Sequence, residues 1–189
     1  MNGIVIKKLS PNLLEDYLNF FDNIAFKDNP DWSYCYCHFP HAPHDTCKWQ
    51  DIPKEENRKA VIDLINSGKK QGLVAYDNNQ PIGWCNAGPR IDITIGPDYD
   101  EPKAGEIGST TCFIIAKEYR RKGVARLLLK TALEVFKTQG FKYAEGYPLK
   151  DMQGEAHNHW GPKELYLSEG FKQYATEDDM IVMRKSLSE

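Results

Sequence analysis

Near the middle of the chain, Arg120-Arg121-Lys122-Gly123-Val124-Ala125 sets three consecutive cations beside one glycine. The chemistry this favours is anion binding. Gly123 lets the backbone bend tightly and lets a ligand come close. If a helix begins just after it, the amides of Val124, Ala125 and Arg126 form a cradle for negative charge, helped by the helix dipole. The flanks fit that arrangement. Phe113, Ile114 and Ile115 are bulky or β-branched residues suited to a buried strand. Val124, Leu127, Leu128, Ala132, Val135 and Phe136 follow a helical repeat broken only by the polar Thr131. Neither the G-x-x-x-x-G-K-[ST] nor the G-x-G-x-x-G pattern is present. Chemistry alone leaves two readings open: a site for a phosphorylated ligand, or an ordinary strand-turn-helix unit with a solvated basic turn.

A second concentration of reactive side chains lies in residues 31–49. Three cysteines (Cys35, Cys37, Cys47), three histidines (His38, His41, His44) and five aromatics fall within nineteen residues. Pro40 and Pro43 make the segment a loop. Sulfur and imidazole are zinc's preferred ligands, but the C-x-C-H-x-x-H-x-x-H-x-x-C spacing fits no common zinc finger. Three readings remain: bound zinc, a pocket lining, or small apolar thiols with exposed histidines.

Scattered polar residues could complete a site. Asn86 closes an apolar strand. Arg90 could bind an acidic group, and Asp92, Asp98, Asp100, Glu101 and Glu106 a cationic one. Glu145 is an acid in an otherwise apolar and aromatic strand.

The elements that must position these groups alternate along one domain of 189 residues. The pattern predicts a strand over 3–9, a helix from Ser10-Pro11 to about Phe26, and a second helix over 51–66 with Asp51 as cap and Gly68 as stop. A hairpin follows over 72–87 with a turn at Asp77-Asn78-Asn79. Residues 91–95 alternate like a strand, inside a long segment poor in core signals. The central strand is expected over 111–115, the helix after Gly123, and a further strand over 141–147. A short helix over 162–169 and closing strands over 171–174 and 180–184 complete the chain. The fold class is α/β (α+β).

The net charge of −3 with only a local basic triplet argues against nucleic acid as partner. The N-terminal residues lack a signal-peptide core, and no apolar run approaches the ~18 residues that span a bilayer. An odd count of five cysteines favours reduced thiols and a cytoplasmic location.

Two motifs together carry a family resemblance. Arg120, Gly123 and Ala125, following Tyr119, resemble the R-x-x-G-x-A pyrophosphate motif of the GNAT acetyltransferases. Residues 165–171, LYLSEGF, resemble that family's L-Y-x-x-x-G-F signature. The likeness covers about 70–185. It implies a mixed, mostly antiparallel sheet of six to seven strands with about four helices and one splayed parallel strand pair. It implies acetyl-CoA as acyl donor, held by the backbone of Phe113, Ile114 and Ile115 and by Arg120, Arg121, Lys122, Gly123, Val124, Ala125 and Arg126.

The acceptor implied is a primary amine, on a small molecule or a protein, that attacks the acyl group directly. Asn86 and Arg90 are the candidate substrate contacts. Tyr166 is the candidate acid for the departing thiolate, and Glu106, Glu145 or His157 the candidate base. Cys112 is a covalent alternative. Where many relatives carry an asparagine seven residues before the tyrosine, this chain has His159, with Asn158 adjacent. The resemblance also allows a homodimer. Two other classes of function compete: a non-catalytic acyl-CoA sensor, and a zinc- or thiol-responsive protein using the 35–47 loop.

Overall fold

The computed structural model describes residues 3–96, 104–151 and 159–188. His157, Asn158, Asp98, Asp100 and Glu101 therefore lie outside the described residues. Among the described residues seven strands form one sheet: β1 (Ile4–Lys8), β2 (Gly72–Asp77), β3 (Gln80–Pro89), β4 (Ile107–Ile115), β5 (Tyr143–Gly146), β6 (Lys172–Glu177) and β7 (Met180–Ser186), in the order β1-β2-β3-β4-β5-β7-β6. All neighbours are antiparallel except β4 and β5. Among the described residues four helices flank the sheet: α1 (Leu14–Asn23), α2 (Lys54–Asn66), α3 (Val124–Thr138) and α4 (Lys163–Ser168).

The sheet separates two apolar layers. On one face α3 and α4 bury Leu128, Leu129, Leu133, Phe136 and Tyr166 against Phe113, Ile82, Ala144 and Met183. On the other, α1 and α2 bury Tyr17, Phe20, Phe21, Val61 and Ile65 against Val74, Trp84 and Cys112. Burying a side chain of this size contributes about 1.5–3 kcal/mol, so the two layers fix the sheet from both sides.

Three expectations change. The predicted strand over 91–95 is a single 3-10 turn, Arg90–Asp92, followed by irregular chain. Both edges of β3 are already paired, with β2 and β4, so no neighbouring edge of β3 is open to these residues. They dock on the N-terminal loop instead, where Thr94 N–H donates to Pro40 O at 2.9 Å and Thr94 Oγ1 to Ala42 O at 2.8 Å. The central strand starts at Ile107 rather than residue 111. Its first half reads as loop because it is glycine and small hydroxyl residues, yet Ser109, Thr110 and Thr111 are buried and hydrogen-bonded by their side chains. Helix α2 begins after Pro53, and Asp51 sits in a separate 3-10 turn.

Two irregularities of β4 shape its surroundings. β5 pairs with only four of its residues, the last pair being Thr110 and Gly146. Beyond that point the strands part. On the opposite edge, Asn86 faces Cys112 while Ala87 faces Thr110, leaving Thr111 as an extra residue. Such a bulge turns the strand locally.

Candidate active site

The splay between β4 and β5 opens a cleft of about 560 Å³. Phe113, Ile114 and Ile115 line one side, and Gly161, Pro162 and Leu165, at the start of α4, the other. β5 ends at Gly146, so the β5-facing edge of residues 113–115 has no strand beside it. An extended ligand can take that place through backbone hydrogen bonds.

At the far end of the cleft the chain turns into α3. Arg121 has φ 58° and Gly123 φ 77°, two left-handed residues that turn the backbone around the helix start. The first hydrogen bond of α3 runs from Leu127 N–H to Gly123 O. The earlier amides, Val124, Ala125 and Arg126, lie ahead of the helical ladder, and all three residues line the cleft. Backbone donors and dipole converge where a phosphate would sit.

The basic side chains divide their work. Arg120 donates to both oxygens of Asp28, at 2.5 and 3.0 Å, and to Ile115 O at 3.0 Å. Its hydrogen bond holds the Asp28 carboxyl below the usual aspartate range. Arg120 thus ties the N-terminal loop to the turn while lining the cleft. Arg126 pairs with Glu169 at 2.5 Å. The Lys122 ammonium stands over the Tyr119 ring, 5.7 Å from its centre, and is the one member of the predicted set that does not line the cleft.

A second pocket, of about 320 Å³, adjoins the first and shares Phe26, Trp32, Ile114 and His159 with it. Its other walls include Tyr34, Phe39, Trp49 and Trp160, with Cys35, Cys37, Thr111 and Cys112 along the β4 side. The odd segment 31–49 is the wall of this pocket. Its histidines hold the wall in place. His38 Nδ1 lies 2.7 Å from Asn57 Oδ1, and His44 Nε2 donates to Phe39 O at 2.7 Å. His41 bridges Asp92 O and Asn86 Oδ1. Burial, with the nearby Lys70, pushes the His41 pKa down to about 3. Among the described residues no three Cys, His, Asp or Glu side chains converge as a metal site requires.

Tyr166 is fully buried. Its ring fills the space over Gly146, where an added Cβ would lie 2.0 Å from it. Its hydroxyl donates to Trp160 O at 2.7 Å and stands 3.4 Å from Thr110 Oγ1. Thr110 and Gly146 are the last parallel pair, so the hydroxyl sits where the strands separate, behind Gly161. Burial pushes its pKa far up, which keeps the phenol protonated.

Four other predicted residues are elsewhere. Glu106 precedes β4 and pairs with Lys142 at 2.5 Å. It lies four residues, roughly 13 Å at a strand's rise, before the point of separation. Glu145 is fully buried between Arg184, at 2.7 Å, and the Tyr147 hydroxyl, at 2.8 Å, and lines neither cleft. Both acids are taken by cations across the sheet, which sequence spacing does not reveal. Asn86 is also buried. It donates to Thr111 Oγ1 at 2.8 Å and accepts from Lys70 Nζ at 3.4 Å, so it braces the bulge rather than facing a ligand. Arg90 turns back on its own loop, donating to Ile93 O at 2.9 Å. Cys112 does line the aromatic pocket, but the Cys37 thiol and burial push its pKa up. His159 is the residue the motifs underrated. It lines both clefts and packs edge-on against Trp32, 5.3 Å between ring centres.

Residues 28–148 match the model of the Acetyltransferase (GNAT) family. The chain belongs to that family. Its fold is shared by solved structures of low identity. The PaiA N-acetyltransferase of Thermoplasma acidophilum, in complex with coenzyme A, is 19% identical over 97% of this chain and 99% of its own, with a TM-score of 0.57. YncA of Salmonella typhimurium, with its cofactor acetyl-CoA, is 15% identical over 100% and 96%, at 0.56. The ribosomal-protein-S18-alanine N-acetyltransferase of Escherichia coli is 12% identical over 98% and 95%, at 0.55. No curated protein matches the sequence.

Proposed function

We propose that this GNAT protein transfers an acetyl group from acetyl-CoA to a primary amine, which attacks directly from the aromatic pocket. The observation that carries this reading is the junction of the two clefts. An unpaired strand edge and a helix start lie in one, an aromatic pocket in the other, and they share Ile114 and His159.

The residues present fit the donor. Amides from 121–126 with the Arg121 side chain would hold its pyrophosphate, and the edge of Phe113 and Ile115 its amide-bearing arm. When bound, acetyl-CoA supplies an acyl thioester to the nucleophile. The chain's own tasks are then positioning and proton transfer. The aromatic walls exclude water and leave a bound amine little solvation of its ammonium form. His159, on the boundary between the clefts, accepts the amine proton. Tyr166 holds a proton at its hydroxyl beside the splay, and gives it up when the partner Trp160 O is exchanged for a developing thiolate.

Titration calorimetry with acetyl-CoA and with free CoA tests the donor site. Micromolar binding of both, lost in Gly123→Glu, is expected; absence of binding in the wild type removes the reading. His159→Gln should lower kcat at neutral pH and flatten its dependence on pH, leaving CoA affinity within a few fold. An unchanged pH profile would take the proton-accepting role from His159.

A further inference from the structure

Lys70 is buried, and among the described residues no carboxylate pairs with it. Its ammonium donates to Cys37 O at 2.7 Å and to Asn86 Oδ1 at 3.4 Å, and stands 5.5 Å from the centre of the Trp84 ring. The groups that would compensate its charge are thiols: Cys37, Cys112 and Cys35. Burial pushes the Lys70 pKa down, and the neighbouring thiols, Cys37 first, oppose that shift, so the ammonium and a thiolate beside it support each other's charge.

Cys37 is built to be that one. Tyr36 and Cys37 have φ 45° and 50°, consecutive left-handed residues with side chains. Such residues are strained and persist only when their surroundings hold them. Here Tyr17 Oη donates to Tyr36 O at 2.6 Å, Tyr36 Oη to Asp22 Oδ1 at 2.5 Å, and Lys70 to Cys37 O. The strained pair sets the Cys37 thiol in the same pocket wall as Cys112, close enough for the two thiols to influence each other's ionisation. Burial opposes ionisation of Cys37, but the Cys112 thiol, the Lys70 charge and the Trp84 indole N–H outweigh it and lower its pKa. Among the described residues that indole N–H has no hydrogen-bond partner of good geometry, and a thiolate at Cys37 would satisfy it. The other titratable groups facing Cys37 are Cys35, whose pKa burial pushes up to about 11, Cys85 on β3, and Tyr17 on α1, both also raised by burial. All three stay neutral, so Lys70 is the charge that matters. Cys37 and Cys112 both line the aromatic pocket, which gives a small neutral molecule a route to them.

We propose that Cys37 and Cys112 are an oxidisable dithiol site for hydroperoxides, with Cys37 the attacking thiolate and Cys112 the resolving thiol. In the first step the Cys37 thiolate attacks one peroxide oxygen. The O–O bond breaks, Cys37 becomes a sulfenic acid, and the other oxygen leaves as hydroxide or alkoxide and takes a proton from water. In the second step the Cys112 thiol displaces the sulfenic oxygen, which leaves as water, and an S–S bond forms. Two thiols lose two electrons and one peroxide gains them. The bond would strap the aromatic loop to β4 across the inner wall of the pocket, away from the phosphate-binding turn.

The test is titration of the full chain with hydrogen peroxide, followed by denaturation, alkylation of the remaining thiols and peptide mapping. The expected first product is a Cys37–Cys112 linked peptide that dithiothreitol reverses, formed while Cys47 is still fully alkylatable. Its rate should rise with pH and level off below the ordinary thiol range near ~8.5. In Cys112→Ala, dimedone should trap a sulfenic acid at Cys37. Early oxidation of Cys47 with Cys37 and Cys112 still alkylatable overturns the proposal. So does a rate that follows an ordinary thiol. The wild-type readouts decide the matter even if the variant fails to fold.

Discussion

The two clefts meet at Ile114 and His159 but are made in opposite ways. One side and the far end of the first cleft are built from contiguous sequence: one strand, one turn and one helix start between residues 113 and 126. What that stretch offers a ligand includes an open strand edge and the amides of a helix start. The aromatic pocket is assembled from α1, the 32–49 loop, β4 and residues 159–160, and what faces a ligand is side chain. A backbone site tolerates change at most positions and fails at the one where backbone must be bare. A side-chain site degrades by degrees as each wall is trimmed.

The largest expected effect tests the first half of that contrast. Gly123→Glu puts a carboxylate at the head of α3 and a side chain where φ is 77°, so CoA affinity should fall at least ~100-fold, by charge repulsion at the helix start. Circular dichroism should show the fold retained. Next, Tyr166→Phe should cut kcat roughly 100-fold with KM little changed, as for loss of a general acid. A wild-type turnover would make Tyr166 a packing residue only. Third, Trp49→Ala removes a wall of the aromatic pocket alone, and the KM for the amine should rise about 10-fold while calorimetric CoA affinity stays constant. Loss of CoA binding in that variant would mean that the clefts are not separable.

The smallest effect concerns the tie between the two regions. Asp28→Asn breaks the Arg120 pair, a partly exposed one, and should cost about 1 kcal/mol of stability. The sign comes from the lowered Asp28 pKa. The carboxylate's contribution is present above the ordinary aspartate value and is lost as pH falls through the depressed one. Thermal melts of the two proteins should therefore differ at pH 7 and converge in acid. A difference independent of pH would show that the pair's charge is not what stabilises.

Much of the donor cleft could be read directly. Gly123, the apolar run before it and the helical repeat after it are local signals, and the structure keeps them as β4, a left-handed turn and α3. The 31–49 segment announced a site but not its chemistry. Its thiols and imidazoles have the composition of a metal centre, and only folding separates them, the histidines into hydrogen bonds behind the wall and Cys35 and Cys37 into it. Lys70 gave no signal at all. In Gly68-Lys69-Lys70-Gln71-Gly72 it looks like one half of a solvated turn, yet it is only 2% exposed.

What the sequence determined by itself depends on near neighbours: the strand-turn-helix shaped for an anion, the helix periods and the two family motifs. What the tertiary structure alone decided is the partner of each charge. Glu106 and Glu145 read as candidate bases because spacing does not show what stands opposite a carboxylate. Lys142 and Arg184 come from 36 and 39 residues away. The parting of β4 from β5 likewise sets where Tyr166 points, and the loop carrying Cys37 meets Cys112 only across the sheet. Short-range geometry is encoded in spacing; the pairing of charges and thiols is a property of contacts that spacing does not carry.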